Sequence, residues 1–403
     1  MKVIVIGGGA AGFFAAINAA ELNPKAKVFL LEKSNKLLQK VLVSGGGRCN
    51  VTHAYFENNL LIKNYPRGEK ELRSAFAKFT TNDTVDWFKR RGITLKTEAD
   101  GRMFPVTDNS ETIVHCLLNA AEKLNVEIKL QVSVKEIIPD KKGFILKTDK
   151  EDLLCDKLII ATGGNPKAES YNWLKKLGHT IIPPVPSLFT FNINDKELHK
   201  LMGLSVLNAK VKVVNTKLQT EGPLLITHWG LSGPAILKSS AWGARLLNDM
   251  NYDFKIQVDW LNKYKEDELR EELLFQKEKL APKLAINTNP FELPRRLWEY
   301  FLQKTEIYDN TRWADVSKKQ INTLLGVLIR DEYTVKGKTT FKEEFVTCGG
   351  VSLKEIDFAT MQSTIVPNLY FAGEVLDIDG ITGGFNFQSA WTTGWIAAKS
   401  IVC

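Results

Sequence analysis

Two kinds of apolar pattern alternate along this chain of 403 residues: short unbroken runs that end in glycine, and longer stretches with apolar residues at helical spacing. The first run, Lys2-Val-Ile-Val-Ile6, enters a G-x-G-x-x-G turn made by Gly7, Gly9 and Gly12. A helical stretch follows, and a second run, Lys27-Val-Phe-Leu-Leu31, ends at Glu32. This order predicts a strand–helix–strand start. Helical patterns cover about 69–79, 84–91 and 111–124, the second stopped by Gly92 and the third with Asn109 or Ser110 as N-cap. Strand patterns cover 127–138 and 143–148. Lys157-Leu-Ile-Ile160 reads as a buried strand that runs into Ala161, Thr162, Gly163 and Gly164.

Pro183, Pro184 and Pro186 punctuate the chain and mark an exit from the first domain. Short strands dominate from Ser187 to about Asp259, and the pattern is helical and charged from Glu266 to Arg330. Glycine-rich, strand-like character returns after Phe341, with a last helix to about Val402. A nucleotide-binding domain split by an insertion accounts for this order. Its segments are expected at 1–187 and 341–403, around an inserted domain at 188–340 that is β-rich over 188–260 and helical over 261–335.

Composition narrows the class. Hydrophobic residues at 44% and charged residues at 25% are those of an ordinary globular protein. No apolar stretch reaches the roughly 20 residues of a membrane span, and the first run is too short for a signal peptide. A cytoplasmic protein is expected. The 54 basic and 46 acidic residues leave a net charge of +8, spread along the chain without a basic stripe interleaved with aromatics. No nucleic-acid partner is therefore expected, only a small-molecule substrate. Cys49, Cys116, Cys155, Cys348 and Cys403 form no C-x-x-C pair, which removes a redox dithiol and a sequence-local zinc site. No metal is expected.

The glycines point to a dinucleotide. One makes the tight turn, one admits a pyrophosphate and one lets the helix pack on the strand, while the helix N-terminus favours the negative charge. Glu32 is placed to accept hydrogen bonds from an adenosine ribose and would repel a 2′-phosphate, leaving NAD or FAD. There is no second fingerprint for a separate NAD domain, and Ala161 to Gly164 is similar to an element near the adenosine side of FAD folds. Tyr370-Phe-Ala-Gly-Glu374 is an apolar strand ending in glycine and acid, as flavin domains use near the ribityl-pyrophosphate. After Gly383 and Gly384, a helix starting near Asn386 would aim its positive end at the N1 and C2 carbonyl edge of the flavin. Phe387, Ala390, Trp391, Gly394 and Ala398 recur at helical spacing and read as core contacts. Non-covalent FAD is the expected cofactor, with NAD(P)H as a transient reductant.

These residues resemble the BaiN-like or aminoacetone-oxidase-like family of bacterial NAD(P)/FAD-dependent oxidoreductases, the HI0933-like flavoproteins. The resemblance covers nearly the full length through Gly7 to Gly12, Ser44 to Asn50, Gly101 to Pro105, Ala161 to Gly164, Thr227 to Pro234, Thr347 to Val351 and Phe371 to Trp391. It implies an α/β fold: a Rossmann-like FAD domain of glutathione-reductase-type ββα topology, interrupted by an insertion with a β-barrel-like part and a helical part. It also implies that Ser44, Gly45, Gly46, Gly47, Arg48, Cys49, Asn50 and Val51 wrap the flavin. Gly373, Glu374, Asp379, Gly384, Asn386 and Gln388 would lie around it. Ala10, Ala11, Lys33, Lys40, Val134 and Phe385 complete the expected cofactor set. Gln362 and Thr364 depart from the family pattern of Glu and Lys, and Phe385 and Phe387 replace Tyr and Leu.

Catalysis needs a hydride carrier at flavin N5 and a protein group for the substrate proton. His228, in Thr227-His-Trp-Gly230, suits proton transfer near neutral pH, or else fastens that turn. Arg48 would lower the pKa of a thiol at Cys49, or else positions the cofactor while Cys49 packs. Arg102 would bind a carboxylate or carbonyl oxygen, or bridge domains through carboxylates. The reading is an FAD-dependent oxidoreductase acting on a small or medium organic substrate between the FAD domain and the insertion, by reactions ranging from amine oxidation to enone-type reduction. An FAD-dependent RNA-modifying flavoprotein and a non-catalytic flavin-binding interaction protein are the alternatives.

Overall fold

A computed structural model describes residues 1–339 and 346–401. The expected domain boundary at 340/341, the expected helix end at Val402 and Cys403 lie outside the described residues. Two compact units result, one of residues 1–187 with 346–401 and one of residues 188–339.

The first unit is built on five parallel strands in the order Glu127–Leu130, Lys27–Glu32, Lys2–Ile6, Lys157–Ile160 and Leu369–Phe371. Two short antiparallel strands, Gln362–Ser363 and Ile356–Asp357, extend one edge. Lys2–Ile6 is almost wholly buried, as a central parallel strand covered on both faces must be. The helix Ala10–Leu22 is apolar nearly all round because it too is covered, with the helix Phe385–Ser400 against it. Gly394 permits that approach, since a Cβ there would lie 2.9 Å from the carbonyl oxygen of Ala11. Phe14 fills the junction against Trp87 and Trp391. Strand order reverses direction at Lys2–Ile6 and Lys157–Ile160, which places the ligand crevice at their carboxyl ends.

The expected strand over 127–138 is two strands in different sheets. Gln131, at φ 55°, breaks it, and Val134–Asp140 joins an antiparallel meander with Gly143–Thr148 and Asp152–Cys155. Another small sheet, absent from the pattern reading, pairs Arg102–Pro105 with Thr52–His53 and Leu95–Thr97. The proline cluster is itself in a strand, Ile181–Ser187, paired with Val346–Val351. A register shift between Ile182 and Val185 accommodates residues that cannot donate to a ladder.

The second unit is a closed barrel in the order Thr190–Ile193, Gly230–Ser232, Gln219–Thr227, Ser205–Val213, Asp253–Asp259 and Asp331–Thr339. Helices Glu266–Lys279, Arg295–Lys304 and Lys318–Arg330 precede the last strand. The expected helical part, 261–335, thus runs too far: Asp331, Tyr333 and Val335 point inward in strict alternation with exposed Glu332, Thr334 and Lys336. Helices Pro234–Trp242 and Ala244–Asp249 interrupt the span expected to be β-rich.

Candidate functional site

The three fingerprint glycines do different work. Gly7 has φ +117°, and a Cβ there would meet the carbonyl oxygen of Ala161 at 2.3 Å; one on Gly12 would meet the oxygen of Gly7 at 1.8 Å. A Cβ on Gly9 would meet nothing within 4 Å, so its backbone faces open space beside the start of the helix that carries Ala10 and Ala11. Glu32 is bound back to this turn, its Oε2 accepting from Gly8 N–H at 2.8 Å and its Oε1 from Ser34 N–H at 2.9 Å. Lys33 beside it is exposed. The carbonyl of Glu32 accepts from Val132 N–H at 3.0 Å, which brings the start of the strand holding Val134 next to the acid.

Gln39–Gly47 is a helix that breaks at Ser44, where ψ turns to 151°, and Gly45, Gly46 and Gly47 then all take positive φ. A Cβ on Gly46 or Gly47 would meet nothing within 4 Å. Ser110 pins this loop from the side, its N–H donating to the Gly47 carbonyl at 2.9 Å and its hydroxyl to Leu42 at 2.6 Å. Asn50, with its amide turned to satisfy both ends, donates to the Thr52 carbonyl and accepts from Gly384 N–H at 3.0 Å. Val51 is buried; its carbonyl accepts from Trp391 Nε1 at 2.9 Å.

The returning C-terminal segment meets these loops. Lys40 Nζ donates to Glu374 Oε2 at 2.7 Å, and Thr347 N–H donates to Oε1 at 2.8 Å. Gly163, with φ +70° and open space at its would-be Cβ, and Gly164 follow the Lys157–Ile160 strand beside them, after Ala161 and Thr162. Gly384 is the N-cap of Phe385–Ser400, and only glycine fits, because a Cβ would lie 2.7 Å from the Thr52 carbonyl. Asn386 clamps the loop ahead of the helix, bonding both the N–H and the carbonyl of Gly380. Gln388 is fully buried. Its Oε1 accepts from Thr52 and Thr84, and its Nε2 donates to Thr392. Gln388 thus holds the loops from within the core, and half-buried Asn386 ties Gly380 to the start of the helix.

Asp379 has the same supporting place. It is wholly buried, with Arg67 on both of its oxygens and Ser187 Oγ donating to it at 2.6 Å. Burial pushes its carboxyl up to about 6, against the pull of Arg67. Neither Arg67 nor Ser187 carries a sequence signal; only the fold brings them to Asp379. His53 is a third residue that local spacing does not mark. It is buried, donates from Nδ1 to the Gly383 carbonyl at 3.1 Å and stacks on Phe385 with ring centroids 4.8 Å apart. With Asn50 on Gly384 N–H, both groups of the Gly383–Gly384 peptide are held.

Arg48 and Arg102 lie together. Both reach Glu98, Arg48 at 2.6 Å and Arg102 at 3.1 Å, and Arg48 lies over the Phe104 ring. Arg102 finds its carboxylates, Glu98 and Asp100, within its own small sheet. Cys49 is no activated thiol: burial pushes it up to about 12, and the guanidinium beside it in sequence is turned to Glu98. His228 belongs to the other unit, exposed on the turn between Gln219–Thr227 and Gly230–Ser232 and set against Trp229. Thr227 Oγ1 fastens that turn by donating to the Gly230 carbonyl at 3.0 Å. Elsewhere Ser363, His179 and Glu355 line up in the order of a hydrolase triad, at 3.1 Å for each step. Ser363 Oγ also accepts from Ile365 and Val366 N–H and is buried, so this set is a clamp. Among the described residues no cluster of three His, Cys, Asp or Glu side chains has the form of a metal site.

The cradle fits a flavin dinucleotide. Bare backbone at Gly9, Gly46, Gly47 and Gly163 leaves room where side chains would stand, and two helix N-termini offer N–H groups without intrahelical acceptors. The family model described as the HI0933-like protein Rossmann domain matches residues 1–400. A ribosomal RNA dihydrouridine synthase of Escherichia coli (strain K12) is 32% identical over 99% of this chain and 97% of that protein. A 3-dehydro-bile acid delta(4,6)-reductase of Clostridium scindens is 27% identical over 99% of this chain and 98% of that protein. In solved structures, a 3-ketosteroid-delta4-(5alpha)-dehydrogenase from Rhodococcus jostii RHA1 has the same fold, with a TM-score of 0.51 at 14% identity over 98% of this chain and 97% of that one.

Proposed function

The chain belongs to the HI0933-like Rossmann-domain family and is an FAD-dependent oxidoreductase, and from that premise we propose that it reduces a carbon–carbon double bond conjugated to a carbonyl, with uridine in ribosomal RNA as substrate. The observation that carries this reading is the extent of the likeness to the RNA-acting relative. It runs through the second unit as well as the first, and at 32% identity it exceeds the 27% of the equally extensive match to the bile-acid reductase. The bile-acid reductase supports the chemistry from another side, since the C5=C6 bond of uracil and the alkene of an enone both accept hydride at the carbon β to a carbonyl.

Bound at the glycine cradle, FAD supplies that hydride. The helix Phe385–Ser400 sets N–H groups at the end of the cradle, where they favour negative charge. His53 and Asn50 hold the peptide that begins this helix. We assign His228 the proton for the adjacent carbon, and Arg48 and Arg102, pre-oriented by Glu98, the contacts to carbonyl or phosphate oxygen. NAD(P)H is the reductant in this reading, and the cytoplasm its compartment. The expectation of no nucleic-acid partner, drawn from the spread charge, gives way in this reading to the RNA-acting relative.

Nucleoside mass spectrometry of ribosomal RNA from the source strain with and without the gene tests the proposal. Dihydrouridine should disappear with the gene and return with purified protein, NADPH or NADH and RNA. Unchanged dihydrouridine would overturn the RNA reading and turn the search to 3-keto-Δ4 small molecules.

A further inference from the structure

We propose that Lys338 is a phosphate-binding residue of the second unit, its ammonium taking a backbone phosphate of the RNA substrate. The inference deepens the RNA reading and rests on it. Its first support is a break in strand alternation. Along Asp331–Thr339 the inward residues are Asp331, Tyr333 and Val335, and Val335 lies opposite Ile193. Regular alternation would turn Lys338 outward with Lys336. Instead the register slips, because the step from Val335 to Lys338 is one residue longer than the step between their partners, Ile193 and Phe191. Gly337, at φ +85°, supplies the left-handed residue that such a bulge uses. Lys338 is thereby set directly opposite Phe191, which is fully buried, and opposed residues of an antiparallel pair share a face. The bulge re-aims a lysine to the inner side of the barrel, at the end of its last strand.

The second support is what surrounds the ammonium. Nζ stands 4.2 Å from the centre of the Tyr252 ring, and Phe189 meets that ring edge-on with centroids 5.4 Å apart. Lys338 is half-buried, and among the described residues no carboxylate pairs with it. Lys40, also half-buried, ends on Glu374. Burial lowers the Lys338 pKa from the ordinary lysine value, with no acid to raise it again. An ammonium held on an aromatic face and left without an internal counter-charge has its charge available to an anion from outside.

The substrate says which anion. RNA brings a phosphate with every nucleotide, whereas a neutral enone brings none, and lysine binds phosphate as a compact point charge. Lys336, just across the bulge and exposed, supplies an internal control: the same charge in almost the same place, pointing the other way.

The test uses the full-length protein with FAD bound and a ribosomal RNA transcript, with affinity read across a salt series. Lys338→Gln should weaken RNA binding about tenfold at low salt. It should also lower the slope of log affinity against log salt by about 1, with FAD content unchanged. Lys338→Arg should restore most of both, and Lys336→Gln should match wild type. Wild-type affinity and slope in Lys338→Gln overturn the site; so does an equal loss in Lys336→Gln, which would make the effect one of net charge alone. Should Lys338→Gln fail to fold, lysine acetylation of the native protein decides. RNA should then protect Lys338 and leave Lys336 reactive, and equal modification of Lys338 with and without RNA overturns the proposal. A wild-type protein that retains no RNA at any salt would sink the RNA reading itself, a distinct result.

Discussion

The first unit and the second bury their polar groups for different ends. In the first, Arg67 with Asp379, Asn50 with Gly384 and His53 with Gly383 are spent on holding irregular loops at the sheet edge. In the second, a large apolar core including Trp260, Trp298, Trp313 and Phe301 surrounds one buried acid, Asp331, which takes Lys304, Trp260 Nε1 and Tyr333 and ties a helix to the strand that closes the barrel. Loops cannot satisfy their own backbone as strands do, so a site built from them needs side-chain ties, whereas a barrel needs few.

Removing one partner from each buried acid breaks this comparison or upholds it. Arg67→Ala leaves a carboxylate with no exposure, and a loss of about 3–5 kcal/mol is expected in urea unfolding, with loss of bound FAD. Lys304→Ala leaves Asp331 with two donors and a water-accessible gap, and about 2 kcal/mol is expected, without effect on FAD. Equal losses, or flavin loss from the barrel variant, would contradict the division of roles.

The glycines sharpen it within the first unit. Gly12→Ala forces a Cβ onto the Gly7 oxygen and should cost the apoprotein about 3 kcal/mol. Gly9→Ala should leave apoprotein unfolding unchanged yet weaken FAD, because its Cβ would enter ligand space.

A smaller effect concerns the His179 clamp. Burial holds the imidazole below its ordinary 6.5. Burial raises Glu355, but hydrogen bonds from Thr180 and His179 more than reverse this and hold it below 4.5. Both groups have lower pKa values folded than unfolded, so their stabilisation is complete above pH 6.5 and is lost as pH falls through the folded values. His179→Gln should flatten the upper part of that acid loss in unfolding measured from pH 8 to 4. The smallest effect belongs to Arg102→Ala, whose partly exposed ion pairs should change stability by less than about 1 kcal/mol while RNA binding falls; a retained RNA affinity would remove Arg102 from the substrate contacts.

Legibility in the sequence followed distance along the chain. The contact of Gly12 with the Gly7 oxygen, the bond of Glu32 to Gly8 and the positive φ of Gly384 at its helix start are set within one strand–helix–strand unit or one cap, and such geometry leaves a local pattern. The family resemblance implies that Gln388 and Asn386 lie around the cofactor, but that Gln388 bonds Thr52 and Thr84 is decided by side chains that arrive from about 300 residues away. The strand Asp331–Thr339 was read as helix over its first residues because helical charge patterning runs to Arg330; its pairing with Thr190 closes the barrel and overrides that pattern.

The sequence by itself determined that the chain begins with a dinucleotide fold, that an insertion separates two parts of it, and that glycine is needed where backbone meets phosphate or turns to positive φ. These are consequences of short-range sterics and of hydrophobic period. Only the tertiary structure decided that Asp379 answers to Arg67, that His53 and Asn50 hold the Gly383–Gly384 peptide, and that a bulge at Gly337 turns Lys338 to the inner side of the barrel. The pairings of Arg67 with Asp379 and of His53 with Gly383 cross about 300 residues of chain, set by which loops the parallel sheet gathers at its carboxyl edge.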